Sequence, residues 1–247
     1  FAPMRYAILG DIHSNLSALT RVLEDISTQS VDCLVSVGDV VGYGGSPSEC
    51  IELLRSHKAV VVKGNHDAAC VGELNEATFN RYAREAVHWT RNVLPKADLD
   101  WLRSLPLQVT LEHCQVAHGS LNEPEAFEYI RTTRDADPSL ELMTSPVAFV
   151  GHTHMPIALM RLLEPAGATA YAPQLDVDLR ESDRCLVNVG SVGQPRDEDH
   201  RTGWVLFDSE AQSVRMTRLE YDIEAAAKQI RDANLPRMLA DRLYLGV

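Results

Sequence analysis

Short apolar runs alternate with amphipathic stretches along the first half of the chain. Three runs have the length and composition of buried strands: residues 5–10, 33–37 and 59–63. Two stretches between them place apolar residues on one helical face: residues 16–26 and 48–56. Ser14 or Asn15 can cap the first helix, and Pro47 opens the second. This alternation predicts helices packed on a sheet that is at least partly parallel.

Strand-like runs dominate the second half of the chain. Two helical patterns and a hairpin come first: residues 77–94, 97–105, and 107–111 with 115–118. Later strands and a closing helix are predicted at residues 147–150, 157–163, 186–189, 204–207, 214–219 and 222–233. The acidic stretch 123–141 contains two prolines and shows no clear period. Since no repeat or long linker is present, we predict one α/β domain over 1–247, with a lid-like helical segment at about 68–105.

A polar cluster follows each of several buried-type runs. The clusters are Asp11-Ile12-His13, Gly38-Asp39, Gly64-Asn65-His66-Asp67, His118-Gly119 and Gly151-His152-Thr153-His154. Ligands of α/β sheets bind outside the carboxyl ends of the strands. The sequence therefore predicts that side chains far apart in the chain meet at one rim of the sheet structure.

The chemistry of these clusters is typical of a metal site. Carboxylates, imidazoles and an amide, without thiolates, suit Mn²⁺, Fe or Zn²⁺, and metal availability decides among them. Seven side chains are candidate ligands: Asp11, His13, Asp39, Asn65, His118, His152 and His154. They are too many for one tetrahedral ion and enough for two if a carboxylate bridges. Asp39 is the expected bridge because the preceding glycine lets the backbone turn sharply.

These clusters resemble the motifs of the calcineurin-like metallophosphoesterases: D-x-H, G-D, G-N-H-[DE], H and G-H-x-H in that order. The resemblance implies a four-layer α/β-β/α sandwich of mixed sheets with a two-metal site. Its ligand sets would be Asp11, His13, Asp39 and His154 for one ion, and Asp39, Asn65, His118 and His152 for the other. The resemblance also implies that His66 is the general acid, or the donor to the leaving oxygen, and that Asp67 orients it.

The implied reaction is hydrolysis of small phosphodiesters by a hydroxide that bridges two divalent ions. Two alternatives stay open: a monoesterase acting on nucleotide or sugar phosphates, and a non-catalytic protein-binding scaffold on the same fold. Scaffold relatives usually lose His66 or metal ligands, whereas this chain keeps all of them. The ratio of diester to monoester turnover separates the two enzymatic alternatives.

One motif departs from the protein phosphatases. Residues 38–44 read GDVVGYG, so Gly42 and Tyr43 replace the second Asp and the Arg of the phosphatase motif G-D-x-x-D-R-G. The chain resembles instead the small bacterial and archaeal YfcE-like phosphodiesterases, including their late glycine-rich loop, here residues 188–196. Arg196 in this loop could hold a phosphate or be an ordinary exposed arginine. We count Asn65, His66, Tyr43 and Arg196 as candidate substrate-binding residues.

Composition and charge limit the partners and the cellular location that we expect for this chain. The chain of 247 residues has a net charge of −12, which disfavours nucleic acid and anionic membranes as partners. Its five cysteines form no CxxC pair, and no apolar run reaches the length of a membrane span. Residues 1–4 do not begin a signal peptide. We therefore expect a cytoplasmic enzyme that binds a small phosphate ester, and we leave a homo-oligomer open.

Overall fold

The computed structural model describes residues 2–247; the predicted start of the domain at residue 1 lies outside them. The strands are β1 (Arg5–Leu9), β2 (Cys33–Ser36), β3 (Val60–Val61), β4 (Gln108–Thr110), β5 (Cys114–Ala117), β6 (Val147–Val150), β7 (Ile157–Leu162), β8 (Thr169–Ala172), β9 (Asp176–Asp178), β10 (Ser182–Asn188), β11 (Thr202–Asp208) and β12 (Ser213–Leu219). The α-helices are α1 (Leu16–Ser27), α2 (Pro47–Ser56), α3 (Asn65–Cys70), α4 (Arg81–Val93), α5 (Lys96–Ser104), α6 (Thr133–Leu142), α7 (Ile223–Asp232) and α8 (Arg237–Asp241).

The strands form two mixed sheets of six strands each. The first sheet has the order β3-β2-β1-β11-β12-β9, and the second has the order β4-β5-β6-β10-β7-β8. Strands β1, β2 and β3 are parallel, and so are β5, β6 and β10. Each sheet therefore contains one group of three parallel strands whose carboxyl ends point the same way.

Alternating side chains divide the core into layers. Tyr6 and Ile8 of β1 pack between the two sheets, together with Phe149 of β6. Ala7 and Leu9 of β1 point to the other face and pack against α1, α2 and α5. This alternation is the two-residue period of a strand that is buried on both faces.

The second sheet is also covered on its outer face. Ala148 and Val150 of β6 pack there against Ala136 and Leu140 of α6. The order of layers is helices, sheet, sheet, helix, so the predicted four-layer α/β-β/α sandwich is confirmed.

Two sequence predictions about individual elements were wrong or incomplete. The strand expected over 59–63 is only Val60–Val61. The chain leaves the sheet after it, since the Lys63 N–H donates to the Pro106 carbonyl instead of to a strand. The acidic stretch 123–141, left without an assignment, contains most of helix α6. Thr132 and Asp135 form a capping box at its start, and Pro138 lies on its exposed face.

The helical segment at about 68–105 has two parts. Leu102 and Leu105, at its end, pack in the helical layer of the first sheet. Phe79 and Ala83, nearer its start, pack with Tyr43 and with Ala226 of α7. Only the earlier part therefore borders the rim where the polar clusters lie, and its role as a lid stays a prediction. Within residues 2–247, no helix combines the length and apolar composition needed to cross a membrane.

Candidate metal centre

The two groups of parallel strands deliver their polar clusters to the same place. Asp11, Asp39 and Asn65 follow the three parallel strands of the first sheet, β1, β2 and β3. His118 follows β5, and His152 and His154 follow β6 in the second sheet. The seven predicted ligands are all buried, at most 8% exposed. The centre is thus assembled from both halves of the sandwich.

The backbone at the centre adopts an unusual conformation. His13, Asp39, His152 and His154 all have positive φ, at 48°, 48°, 67° and 61°. Non-glycine residues rarely enter this left-handed region, and such strain persists only where surrounding structure holds it. The Asp39 carbonyl accepts the N–H groups of Ile12 and His13, at 3.0 and 2.9 Å. These two bonds tie the first two clusters together.

One group of side-chain atoms consists of Asp11, His13 and His154. The Nε2 atoms of His13 and His154 are 3.1 Å apart. The His154 Nε2 atom is 3.2 Å from Asp11 Oδ2. All three residues can offer one ligand atom within 4.8 Å of the others. This is the spacing that a shared cation requires.

A second group surrounds His118. Its Nε2 atom is 3.0 Å from Asn65 Oδ1 and 3.2 Å from His152 Nδ1. The same atom is 3.4 Å from Asp39 Oδ2. Asp39, His118 and His152 form another set of atoms within 4.8 Å of one another.

The Asp39 carboxylate lies between the two groups. Its Oδ2 atom is 3.6 Å from His13 Nε2 on one side and 3.4 Å from His118 Nε2 on the other. Its Oδ1 atom accepts the His66 N–H at 2.8 Å, which fixes the rotation of the carboxylate. A Cβ at Gly64 would lie 2.1 Å from this Oδ1 atom, so only glycine permits this approach.

Backbone carbonyls orient three of the imidazole rings. The Nδ1 atoms of His13, His118 and His154 lie 3.0, 2.9 and 2.6 Å from the carbonyls of Val41, Val37 and Gln194. A carbonyl can only accept, so each Nδ1 carries a proton and donates it. Each Nε2 atom then turns to the centre, as in histidines that bind metals.

The donor set fits divalent metal ions. Asp11 Oδ2 is buried and has no hydrogen-bond partner within residues 2–247. The close pair of Nε2 atoms on His13 and His154 would bring lone pairs together unless a cation or a proton lies between them. A cation satisfies both demands, and two such ions match the two groups that meet at Asp39.

Charges inside the centre are strongly coupled. Burial disfavours the ionised form of Asp11 and Asp39. The surrounding imidazoles outweigh this effect and hold the pKa values of both carboxyl groups below the ordinary range. Burial likewise disfavours protonated His118, but Asp39 and Asp11 outweigh it and raise its pKa to about 9. The carboxylates are therefore ionised and available as ligands, and a metal ion held by His118 would replace its Nε2 proton.

His66 and Asp67 lie at the start of α3. Burial lowers the pKa of His66 to about 4, so its ring is neutral near pH 7. Its Nδ1 atom is buried and has no partner within the described residues. The Asp67 carboxylate accepts the N–H groups of Val41 and Gly64, at 3.1 and 3.0 Å. Asp67 thus holds the turn that carries His66, without a hydrogen bond to the His66 Nδ1 atom.

Tyr43 and Arg196 lie beside this centre. The Tyr43 ring is 4.5 Å from the rings of both His13 and His66, and the residue is 6% exposed. The Arg196 guanidinium lies 5.8 Å from the centre of the Tyr43 ring and donates to Gln194 Oε1 at 2.9 Å. The structure places Tyr43 and Arg196 next to the metal centre, and their contact with substrate stays a prediction.

Comparison with known proteins agrees with this geometry. The family model for calcineurin-like phosphoesterases matches residues 4–179. The chain belongs to this family. The sequence resemblance is therefore confirmed, and the protein is a metal-dependent phosphoester hydrolase.

Three relatives show how far the similarity extends. Protein MJ0912 of Methanocaldococcus jannaschii, described as uncharacterized, is 35% identical over 244 residues, which are 97% of either chain. A metallophosphoesterase crystal structure from Sphaerobacter thermophilus is 39% identical, covers 100% of both chains and has a TM-score of 0.86. Phosphodiesterase YfcE of Escherichia coli K12 is 27% identical over 168 residues, 64% of this chain and 73% of YfcE. The last match supports the YfcE-like branch.

The sequence analysis missed one residue that supports the centre of this phosphoesterase. The Asn188 amide nitrogen donates to the Gly151 carbonyl at 2.5 Å and to Thr153 Oγ1 at 2.9 Å. Its Oδ1 atom accepts the Gly190 N–H at 3.0 Å. Asn188 thereby joins the loop that carries His152 and His154 to the late glycine-rich loop. The sequence analysis included Asn188 in the late glycine-rich loop, residues 188–196, but gave it no role, because asparagine is also a common turn residue.

Proposed function

We propose that this phosphoesterase hydrolyses small phosphodiesters with two divalent transition-metal ions. The observation that carries the proposal is the position of Asp39, whose Oδ2 atom lies within 3.6 Å of one ligand group and 3.4 Å of the other. One carboxylate can then serve two ions, which suits an in-line displacement at phosphorus. A site for a single ion would not need buried imidazoles on both sides of that carboxylate.

The ligand sets follow from the two groups. Asp11, His13 and His154 would hold one ion and Asn65, His118 and His152 the other, with Asp39 shared. Such a pair supplies activation of the attacking water and neutralises charge that builds up on the phosphoryl oxygens. Manganese, iron and zinc all suit these nitrogen and oxygen donors.

His66 would then act as a neutral hydrogen-bond donor. With a pKa of about 4, its ring is neutral near pH 7 and keeps one N–H, which can donate a hydrogen bond to a phosphoryl or leaving oxygen without transferring the proton. The His66 N–H of the backbone holds Asp39, so the same residue couples the donor to the proposed bridge. Asp67 fixes the helix start on which this arrangement depends.

Tyr43 stands where the phosphatase motif has an arginine, which favours a diester over the monoester of a protein phosphatase substrate. Arg196 is the cationic side chain that contacts Tyr43 beside the centre, and its Nε atom is buried without a partner in residues 2–247. The match to a phosphodiesterase, YfcE, supports the same preference.

The test uses protein stripped of metal and reconstituted with Mn²⁺. Metal content is measured by mass spectrometry, and turnover is compared on bis-(4-nitrophenyl) phosphate and 4-nitrophenyl phosphate. We expect two ions per chain and a higher kcat/KM for the diester. Faster monoester cleavage would support the phosphatase alternative, and two bound ions with no turnover of either ester would support the scaffold alternative. One ion at full activity would contradict the bridging role of Asp39.

A further inference from the structure

A groove opens beside the metal centre and contains more aromatic surface than phosphate chemistry requires. Its volume is 480 Å³, within the range of roughly 300–1,000 Å³ typical of small-molecule sites. Asn65, His66 and His152 form its floor toward the metal centre. Residues 43, 74, 78–80, 83, 126, 127 and 129 form its walls. The groove therefore offers space for the organic arm of a substrate held at the centre.

Three aromatic rings contact imidazole rings of the centre. Phe79 contacts the His66 ring, with centroids 4.9 Å apart. Phe127 contacts the His118 ring at 5.9 Å, and Tyr129 stacks on the His152 ring at 3.8 Å. The aromatic walls therefore stand on both sides of the metal centre, Phe79 toward His66, and Phe127 and Tyr129 toward the second group of ligands.

The side chains that line the groove carry no charge apart from the histidines: among its described lining residues, none is Asp, Glu, Lys or Arg. Two guanidinium groups lie against its aromatic rings, Arg131 at 4.5 Å from the centre of the Tyr129 ring and Arg196 at 5.8 Å from that of Tyr43. Since His152 covers one face of Tyr129 and Arg131 the other, Tyr129 offers its edge to the groove. Flat aromatic walls favour a planar ring, because bases stack on aromatic side chains.

We propose that Phe79, Phe127 and the edge of Tyr129 determine specificity by holding a planar aromatic group of the diester, such as a nucleobase. This inference rests on the proposed function, since it concerns the organic arm of the same substrate. Thr78 and Asn80 at the exposed rim can offer hydrogen bonds to the edge of such a ring. Esters with small alkyl arms bind more weakly.

Phosphonates test the groove without turnover. Methylphosphonate and phenylphosphonate share the phosphorus group and differ only in the arm. Their Kd values for the Mn²⁺-loaded protein are measured by calorimetry. We expect phenylphosphonate to bind about tenfold more tightly than methylphosphonate, from the stacking of one ring.

Variants locate the effect. Phe79→Ala and Tyr129→Ala should each lower the preference for phenylphosphonate at least threefold and leave the Kd of methylphosphonate unchanged within twofold. Phe79→Leu keeps the apolar bulk, so an intermediate preference is expected. Tyr171→Ala is the matched control, because Tyr171 is 67% exposed on β8 and does not line the groove. It should behave as the wild type.

The outcomes separate this inference from the proposed function. Equal binding of phenyl and methyl arms by the wild type would overturn it, even if bis-(4-nitrophenyl) phosphate is cleaved. Parallel weakening of both ligands in the two alanine variants would also overturn it, because the rings would then only support the metal centre. Absence of diester turnover would refute the proposed function alone, and the calorimetric preference would still decide the role of the groove.

Discussion

Replacing Asn188 with alanine tests whether a residue outside the ligand set holds the metal centre together. The amide of Asn188 is 2% exposed and makes three hydrogen bonds, to the Gly151 carbonyl, the Thr153 hydroxyl and the Gly190 N–H. Alanine removes all three and leaves those groups without this partner. The substitution therefore acts on the two loops that Asn188 joins.

The size of the effect follows from the number of bonds. A net loss of roughly 1 kcal/mol per bond gives about 3 kcal/mol, and the value rises to about 6 kcal/mol if the abandoned groups stay dry. That is a large part of the stability of an ordinary domain, about 5–15 kcal/mol. Because His152 and His154 flank Thr153, we also expect kcat/KM to fall 10- to 100-fold, the effect typical of residues that position metal ligands.

Urea unfolding of the metal-free protein measures the loss of stability, and turnover of bis-(4-nitrophenyl) phosphate at saturating Mn²⁺ measures the loss of activity. Asn122→Ala is the matched control, since the Asn122 side chain makes no hydrogen bond within the described residues. The control should change the unfolding free energy by less than about 1 kcal/mol. A similarly small change in Asn188→Ala, with activity within threefold of wild type, would refute the reasoning.

Three further predictions concern the centre itself. Asp39→Asn should reduce activity more than any other single substitution in the centre, because both ligand groups meet at that carboxylate; turnover within threefold of wild type would contradict the shared role. His66→Ala should keep both ions but lower kcat about 10²-fold, the size expected when a hydrogen-bond donor to the developing charge is lost. Loss of an ion from that variant, measured by mass spectrometry, would make His66 a ligand instead. Metal binding at pH 7 should release a proton, because the pKa of His118, raised to about 9 by Asp39 and Asp11 against the effect of burial, leaves its ring protonated in the metal-free protein. The affinity for the metal ion should therefore rise with pH up to about 9. Calorimetry in two buffers of different ionisation enthalpy measures how many protons are released. Release of no proton at pH 7 would disprove the prediction.

Much of the fold could be predicted because its strands are buried and its helices are amphipathic. The helix expected at 16–26 is Leu16–Ser27, and of the two possible caps it is Asn15 that accepts the Ala18 N–H. The predicted hairpin is the antiparallel pair β4 and β5. Periodicity succeeds in these cases because local pattern and tertiary packing agree.

Elements without such agreement could not be predicted. Strands β8 and β9 are half-exposed or short, and their positions depend on pairing with β7 and β12, which the sequence does not show. Helix α6 was not predicted because Pro138 interrupts its helical period of apolar residues. Its packing against β6 is a long-range contact, which the local sequence does not show. Local composition carries no information about such partners.

The candidate centre also has features that the sequence predicts and features that depend on long-range packing. The predicted ligands come together because each follows a strand of a parallel group, and that rule needs only strand order. The supporting contacts of Asn188 and the aromatic walls of the groove depend on how two loops pack against each other. Such contacts cannot be deduced from spacing along one chain.

The assembly of the centre from both sheets makes metal binding comparable to a cross-link. Asp11 and His152 are 141 residues apart in the chain, yet the Asp11 carboxylate accepts the His152 N–H at 3.0 Å. Ions held by groups from both sheets would fasten the two halves of the sandwich at one end, and only after the halves have docked. Folding would then be completed, rather than started, by the metal. A cell with little available metal would hold a protein whose far end is intact and whose active end opens more often.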